Sequence, residues 1–113
     1  MKVTLTNRRI GHLECVAISG SLTAADTAVA RQHLLDRLEQ GDGKLVLDLS
    51  ELNFCDSSGL SVLISALKAA RAQQGDVALA GLTPPIRALI ELTRLQQVFQ
   101  IFDNAEQAAV EMR

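Results

Sequence analysis

The residues of this 113-residue chain whose types could do chemistry lie side by side: Asp56, Ser57, Ser58 and Gly59. They follow an apolar run, Leu45-Val46-Leu47-Asp48-Leu49, and precede a segment in which Leu60, Leu63, Ile64 and Leu67 recur at helical spacing. A carboxylate and two hydroxyls are therefore placed at a helix start. Such groups can cap the helix by accepting its free backbone N–H groups. The same N–H groups, at the positive end of the helix dipole, can hold an anion or a phosphate. A serine there can also be a nucleophile.

Capping alone is the plain reading, but only one residue can occupy the N-cap. With Asp56 or Ser57 in that role, Ser58 falls in the first turn with its hydroxyl towards water. Gly59 is expected to leave the approach to it open. An accessible hydroxyl of this kind is what a protein kinase needs. A nucleophile elbow would place glycines two residues either side of the serine, and Asn53 to Cys55 hold no upstream glycine. The two histidines, His12 beside a turn and His33 on a helix, have no recognisable acid–base partners. No catalytic residue is assigned. A GxxxxGK[ST] phosphate loop is absent, and Gly41-Asp42-Gly43 reads as a turn. Cys15 and Cys55 lack metal-ligand spacing, and the acidic residues are scattered. Asp48 reads as an end-of-strand carboxylate bonded to nearby backbone. No cofactor or metal site follows.

The elements that must position the serines can be read in order. Val3 and Leu5 alternate with Lys2, Thr4 and Thr6 as a first strand, and Asn7 to Gly11 supplies a turn. Leu13 to Ile18 is a second strand, and Gly20-Ser21-Leu22-Thr23 a loop into a helix. Ala24, Ala28, Leu35 and Leu38 mark that helix's buried stripe, with Leu34 beside it. The central strand and helix follow, then a strand at Val77 to Ala80. Thr83 is the expected N-cap of a proline-started helix with Ile86, Leu89 and Ile90 inward. Val98 to Phe102 reads as a peripheral strand, and Asp103 with Glu106 as a capping box for a last helix. The order ββαβαβα(βα) predicts an α/β fold: a mixed sheet of about four to five strands with helices packed on it.

Composition removes other classes. The chain is 48% hydrophobic and 3% aromatic, so its core must be aliphatic. A net charge of -2, with no Trp or Tyr and three Phe, argues against nucleic acid by both charge and stacking. The N-terminal stretch lacks a signal-peptide h-region, and no apolar run approaches the ~20 residues of a membrane span. A cytoplasmic protein with reduced, buried thiols and no direct membrane insertion is expected, forming one domain over residues 1–113.

The run DLSELNFCDSSGLSVLISALKAAR resembles the signature of STAS domains, specifically the single-domain anti-sigma factor antagonists. The resemblance continues through Ala80-Gly81-Leu82-Thr83-Pro84 and runs from Val3 to about Ala109. It implies a STAS-type fold. It also implies a non-enzymatic switch that, when unphosphorylated, captures an anti-sigma factor serine kinase of the GHKL ATPase type and frees a sigma factor. On the matching position, Ser58 is the implied phosphorylation site, with Ser57 the alternative, and a PP2C-like phosphatase reverses the modification. Two other roles for the same fold are an accessory subunit of a lipid-transport ABC system and a partner-switching regulator of secretion or biofilm formation. The transport subunits often carry Thr in the motif, so Asp56-Ser57-Ser58-Gly59 favours the sigma pathway.

Ser21 and Thr23 stand where the family often has the acidic residues of G-E-L-D, and Asp26 lies one helical turn on. That loop is expected near the phosphorylation site. Ser21, Thr23, Asp56, Ser57, Gly59, Ser61, Val62 and Ser65 form the expected partner surface, Val62 because it is off the Leu60-Leu63-Leu67 stripe. Lys68, Arg71, Gln73 and Gln74 read as a solvated face.

Overall fold

The computed structural model describes residues 3–112. Its sheet has strands β1 (Thr4–Ile10), β2 (Leu13–Leu22), β3 (Lys44–Asp48), β4 (Leu52–Cys55), β5 (Asp76–Ala80) and β6 (Gln100–Phe102). The order is β1-β2-β3-β5-β6, with β4 also paired to β2; β1 and β2 are antiparallel and the other pairs parallel. Helices α1 (Thr27–Gln40), α2 (Ser57–Ala72), α3 (Pro84–Leu92) and α4 (Ala105–Glu111) connect and close it.

Alternation along the strands sorts side chains to two faces. Val16 and Ile18, Leu45 and Leu47, and Val77 and Leu79 enter one core with Leu34 and Leu38 of α1, Leu63 and Leu67 of α2 and Ile90 of α3. Leu13, Cys15, Val46, Ala78 and Ala80 face the other way, under Ala105 and Ala108 of α4. Because both faces are covered, the inner strands read as apolar runs and not as a polar–apolar alternation.

Several boundaries differ from those expected. β1 continues through Asn7, Arg8 and Arg9, which pair with Val16, Cys15 and Glu14; only Gly11 and His12 turn. An edge strand needs one apolar face at most, so its polar residues mimicked a loop. Lys2, placed in this strand from the sequence, lies outside the described residues. β2 extends through Gly20-Ser21-Leu22, because β4 pairs with those residues after β3 has ended. β4 has only four residues, two of them exposed, and so lacks a strand-length pattern.

In α1 the buried stripe is Ala30, Leu34 and Leu38, not Ala24, Ala28 and Leu35. A 3-10 turn at Ala24–Asp26 delays the helix, and Ala28 is exposed. Alanines impose little phase, so the leucines spaced four apart set the rotation. Arg94, in the left-handed region at φ 61°, begins a 3-10 turn at Leu95–Gln97, which shortens the last strand and leaves Val98 39% exposed. The capping box at α4 is displaced by one residue: Asn104 accepts from the Gln107 N–H, and Gln107 Oε1 accepts from the Asp103 N–H. Glu106 is thereby free to bond Arg8 at 3.3 Å.

Candidate functional site

The site is the joint between β4 and α2, and one carboxylate organises it. Asp56 is the N-cap, in extended backbone, and its Oδ1 accepts the Gly59 N–H at 2.9 Å. Its Oδ2 accepts the Ala24 N–H at 3.3 Å, and its own N–H donates to the Leu22 carbonyl at 3.3 Å. Asp56 therefore caps the helix and ties the joint to the loop after β2. Caps of this type contribute about 1 kcal/mol.

With Asp56 at the cap, Ser57 and Ser58 take the first two helical positions. Ser57 is exposed and Ser58 half-buried. Among the described residues neither hydroxyl has a protein partner; the Ser58 carbonyl accepts from the Ser61 hydroxyl at 2.6 Å. The first-turn N–H groups of Ser57 and Ser58 precede any intrahelical acceptor, so the locale is electropositive despite Asp56.

Contrary to the expectation from the sequence, Gly59 is buried and does not open the approach to Ser58. A Cβ there would lie 2.5 Å from the Leu22 carbonyl oxygen and 2.6 Å from Cys55 Sγ. Its role is to let the first turn of α2 pack against the end of β2, so it is not a partner contact. Val62 is likewise corrected: it is fully buried in the main core. The inward arc of α2 includes Leu60, Val62, Leu63, Ala66, Leu67 and Ala70, wider than one leucine stripe because α1 and the sheet both cover the helix.

Ser61 is exposed, while Ser65 is half-buried and accepts from Arg31 Nε of α1 at 3.4 Å. Ser21 pairs with Phe54 across β2 and β4, which places it beside the joint. Thr23 is half-buried and opens the 3-10 turn without capping it. Asp26 also makes no side-chain cap bond; Asp56 is the carboxylate that reaches this loop. The expected N-cap of α3, Thr83, holds that position, but its hydroxyl donates to the Leu52 carbonyl at 3.0 Å and so fastens α3 to β4.

Sequence reasoning missed Phe54, which is 54% exposed two residues before Asp56. Its place next to Cys55 suggested an apolar setting. In the structure the β2–β4 register shifts between Gly20 and Ser21, skipping Asn53, so strict alternation is lost and Phe54 is exposed although Leu52 is buried. Cys55 is buried, and burial followed by the Asp56 charge pushes its thiol up to about 11. Burial also raises Cys15, an effect partly offset by Arg8.

The remaining chemically capable residues are elsewhere. His33 bonds Asn7 at 2.7 Å, and His12 is exposed at the hairpin turn. Asp48 Oδ1 accepts from the Ser50 N–H at 3.0 Å and the Ser50 hydroxyl at 2.7 Å, and its other oxygen lies 3.7 Å from Arg8. Among the described residues no group of three or more His, Cys, Asp or Glu could hold a metal, and no helix is long and apolar enough to cross a membrane.

A mixed sheet with this strand order, carrying a serine pair on the first turn of a central helix, has relatives. The STAS domain profile matches residues 4–108, and the chain belongs to that family. The anti-sigma F factor antagonist of Paenibacillus polymyxa is 29% identical over 86% of this chain and 84% of its own length. The anti-sigma-B factor antagonist of Bacillus subtilis is 29% identical over 80% and 83%. The crystal structure of an anti-sigma factor antagonist from Mycobacterium paratuberculosis superposes with a TM-score of 0.87 at 22% identity, covering 96% of this chain and 92% of that one.

Proposed function

We propose that this chain is an anti-sigma factor antagonist. Unphosphorylated, it binds an anti-sigma factor serine kinase of the GHKL type and releases a sigma factor; phosphorylation of Ser58 switches it off, and a PP2C-like phosphatase restores it. It acts in the cytoplasm as a substrate and binding module, without catalysis of its own. The observation that carries this is the division of labour at the joint: Asp56 does the capping, which leaves the Ser58 hydroxyl free on a fixed first turn.

The physics of the switch follows from that position. A phosphoryl group adds about -1.5 to -2 charges and three acceptor oxygens. The helix N-terminus favours such charge by about 0.3–1 kcal/mol, which offsets repulsion from Asp56 of the same order at a solvated site. The fold is left nearly unchanged. On a docking surface the same dianion adds bulk and must be desolvated, so the complex weakens. The fold is shared with the Bacillus cell fate determinant SpoIIAA, whose structure is known in a phosphorylated form (TM-score 0.75, 17% identity).

Ser57 is the second candidate acceptor, because it is the more exposed of the pair. Incubation with a purified GHKL-type anti-sigma kinase and ATP, followed by mass spectrometric mapping, separates them. Phosphate on Ser58 is expected, with Ser58→Ala capturing the kinase constitutively and Ser58→Asp capturing it poorly. Phosphate on neither serine, or full capture by Ser58→Asp, refutes the switch.

A further inference from the structure

The exposed edge of α2 leads from the serines to a groove. Ser57, Ser61, Ile64, Lys68 and Arg71 recur at intervals of four and three residues, so they form one ridge. All are exposed except Ile64, which is half-buried. At the far end Ile64, Leu67, Lys68 and Arg71 form one wall of a groove of about 470 Å³, faced by Leu95, Val98 and Phe99.

The lining is apolar with two cations and no carboxylate. Arg71 is committed within the fold: Nη2 donates to the Val98 carbonyl at 2.7 Å, and Nε pairs with Asp76 at 3.4 Å. Those bonds hold the two walls at a set separation. Lys68 forms no ion pair among the described residues.

We propose that this groove is a second contact of the docking surface, taking an acidic amphipathic segment of the kinase. An aliphatic or aromatic side chain of that segment packs on Leu95, Val98 and Phe99, and a neighbouring carboxylate meets Lys68. The inference rests on the reading of Ser58 as the centre of that surface. Reach supports it: Ser58 and Lys68 are ten residues apart on one helix, about 15 Å. A standard interface buries about 800 Å² per partner, a patch roughly 30 Å across, so a partner centred on Ser58 extends to Lys68. Charge supports it as well: Arg71 is already paired with Asp76, and a partner carboxylate complements the remaining cation of the lining, Lys68. A second copy fits worse, because a two-fold contact would set Lys68 against its own copy with no carboxylate in the lining to meet it.

The test is kinase capture by two variants whose altered side chains are exposed, so that folding is preserved: Val98→Asp and Lys68→Glu. Val98→Asp places a charge against the apolar wall and is expected to weaken capture about tenfold. Lys68→Glu is expected to weaken it about threefold at low salt, with the difference disappearing near 1 M salt. Wild-type affinity in both variants overturns the groove contact. So does a wild-type dimer in sedimentation that Val98→Asp dissolves, because the occupant is then a second copy. If both variants weaken capture while Ser58→Asp does not, the switch fails and the groove stands. If only Ser58→Asp weakens capture, the groove fails alone. A kinase that does not bind the wild type overturns both.

Discussion

The two faces of the sheet are built differently. On one, Leu and Ile side chains from β2, β3, β5, α1, α2 and α3 interdigitate, and the Asp56–Ser58 joint stands at its edge. On the other, Ala78 and Ala80 meet Ala105 and Ala108 of a seven-residue helix, α4, which Glu106 ties to Arg8. Large side chains bury more apolar area per residue and hold their neighbours in one packing arrangement. Small ones allow a close cover that little energy retains. The candidate site thus stands on the more heavily packed face, where a docking surface gains from being preorganised, and α4 is the element expected to open first.

The sharpest way to break this contrast is at Gly59. A single Cβ would meet the Leu22 carbonyl at 2.5 Å, so Gly59→Ala must push α2 off β2. A loss of about 3 kcal/mol or more is expected in urea unfolding, with loss of kinase capture. Wild-type stability would show that α2 is not clamped there.

The next effect compares the faces directly. Leu63 and Ala108 are both fully buried. Leu63→Ala should cost about 2–5 kcal/mol through lost burial and a cavity. Ala108→Gly should cost about 1 kcal/mol, mostly as helix propensity. Equal costs would remove the distinction.

Cys55 gives the contrast a pH dependence. Its thiol is raised from 9.0 to about 11 in the folded protein, chiefly by burial. Below the unfolded value both states are protonated and nothing is lost. As pH rises from 9 towards 11, the unfolded chain releases the proton while the folded one keeps it, so stability falls by roughly 2–3 kcal/mol. Cys55→Ala should flatten that slope when unfolding is measured at pH 8 and pH 10.5.

The smallest effect is on the thin face. Arg8→Ala removes exposed ion pairs worth about 0–1 kcal/mol, but it loosens the tie to α4. In the native protein iodoacetamide should label Cys15, under α4, before Cys55, and Arg8→Ala should speed Cys15 labelling a few-fold with little change in the melting temperature. Labelling of Cys55 first, read by mass spectrometry of the peptides, would place the weaker cover on the other face.

Much of this protein was legible in the chain. β3, β5 and α2 carry their own periodicity, and Asp56-Ser57-Ser58 marks a helix start whichever way the helix faces, because capping is decided by a few adjacent residues. Tertiary packing decided the rest. β4 exists because β2 outlasts β3 and its backbone groups need partners, a cause that lies thirty residues away from Leu52. Val62 went inward because α1 covers α2 on a second side, and Phe54 outward where the β2–β4 register shifts and breaks the alternation of β4. Gly59 looked like open space beside a hydroxyl; it proved to be a contact with Leu22. Local chemistry placed Ser58 at the start of a helix, and only the assembled sheet determined what stands around it.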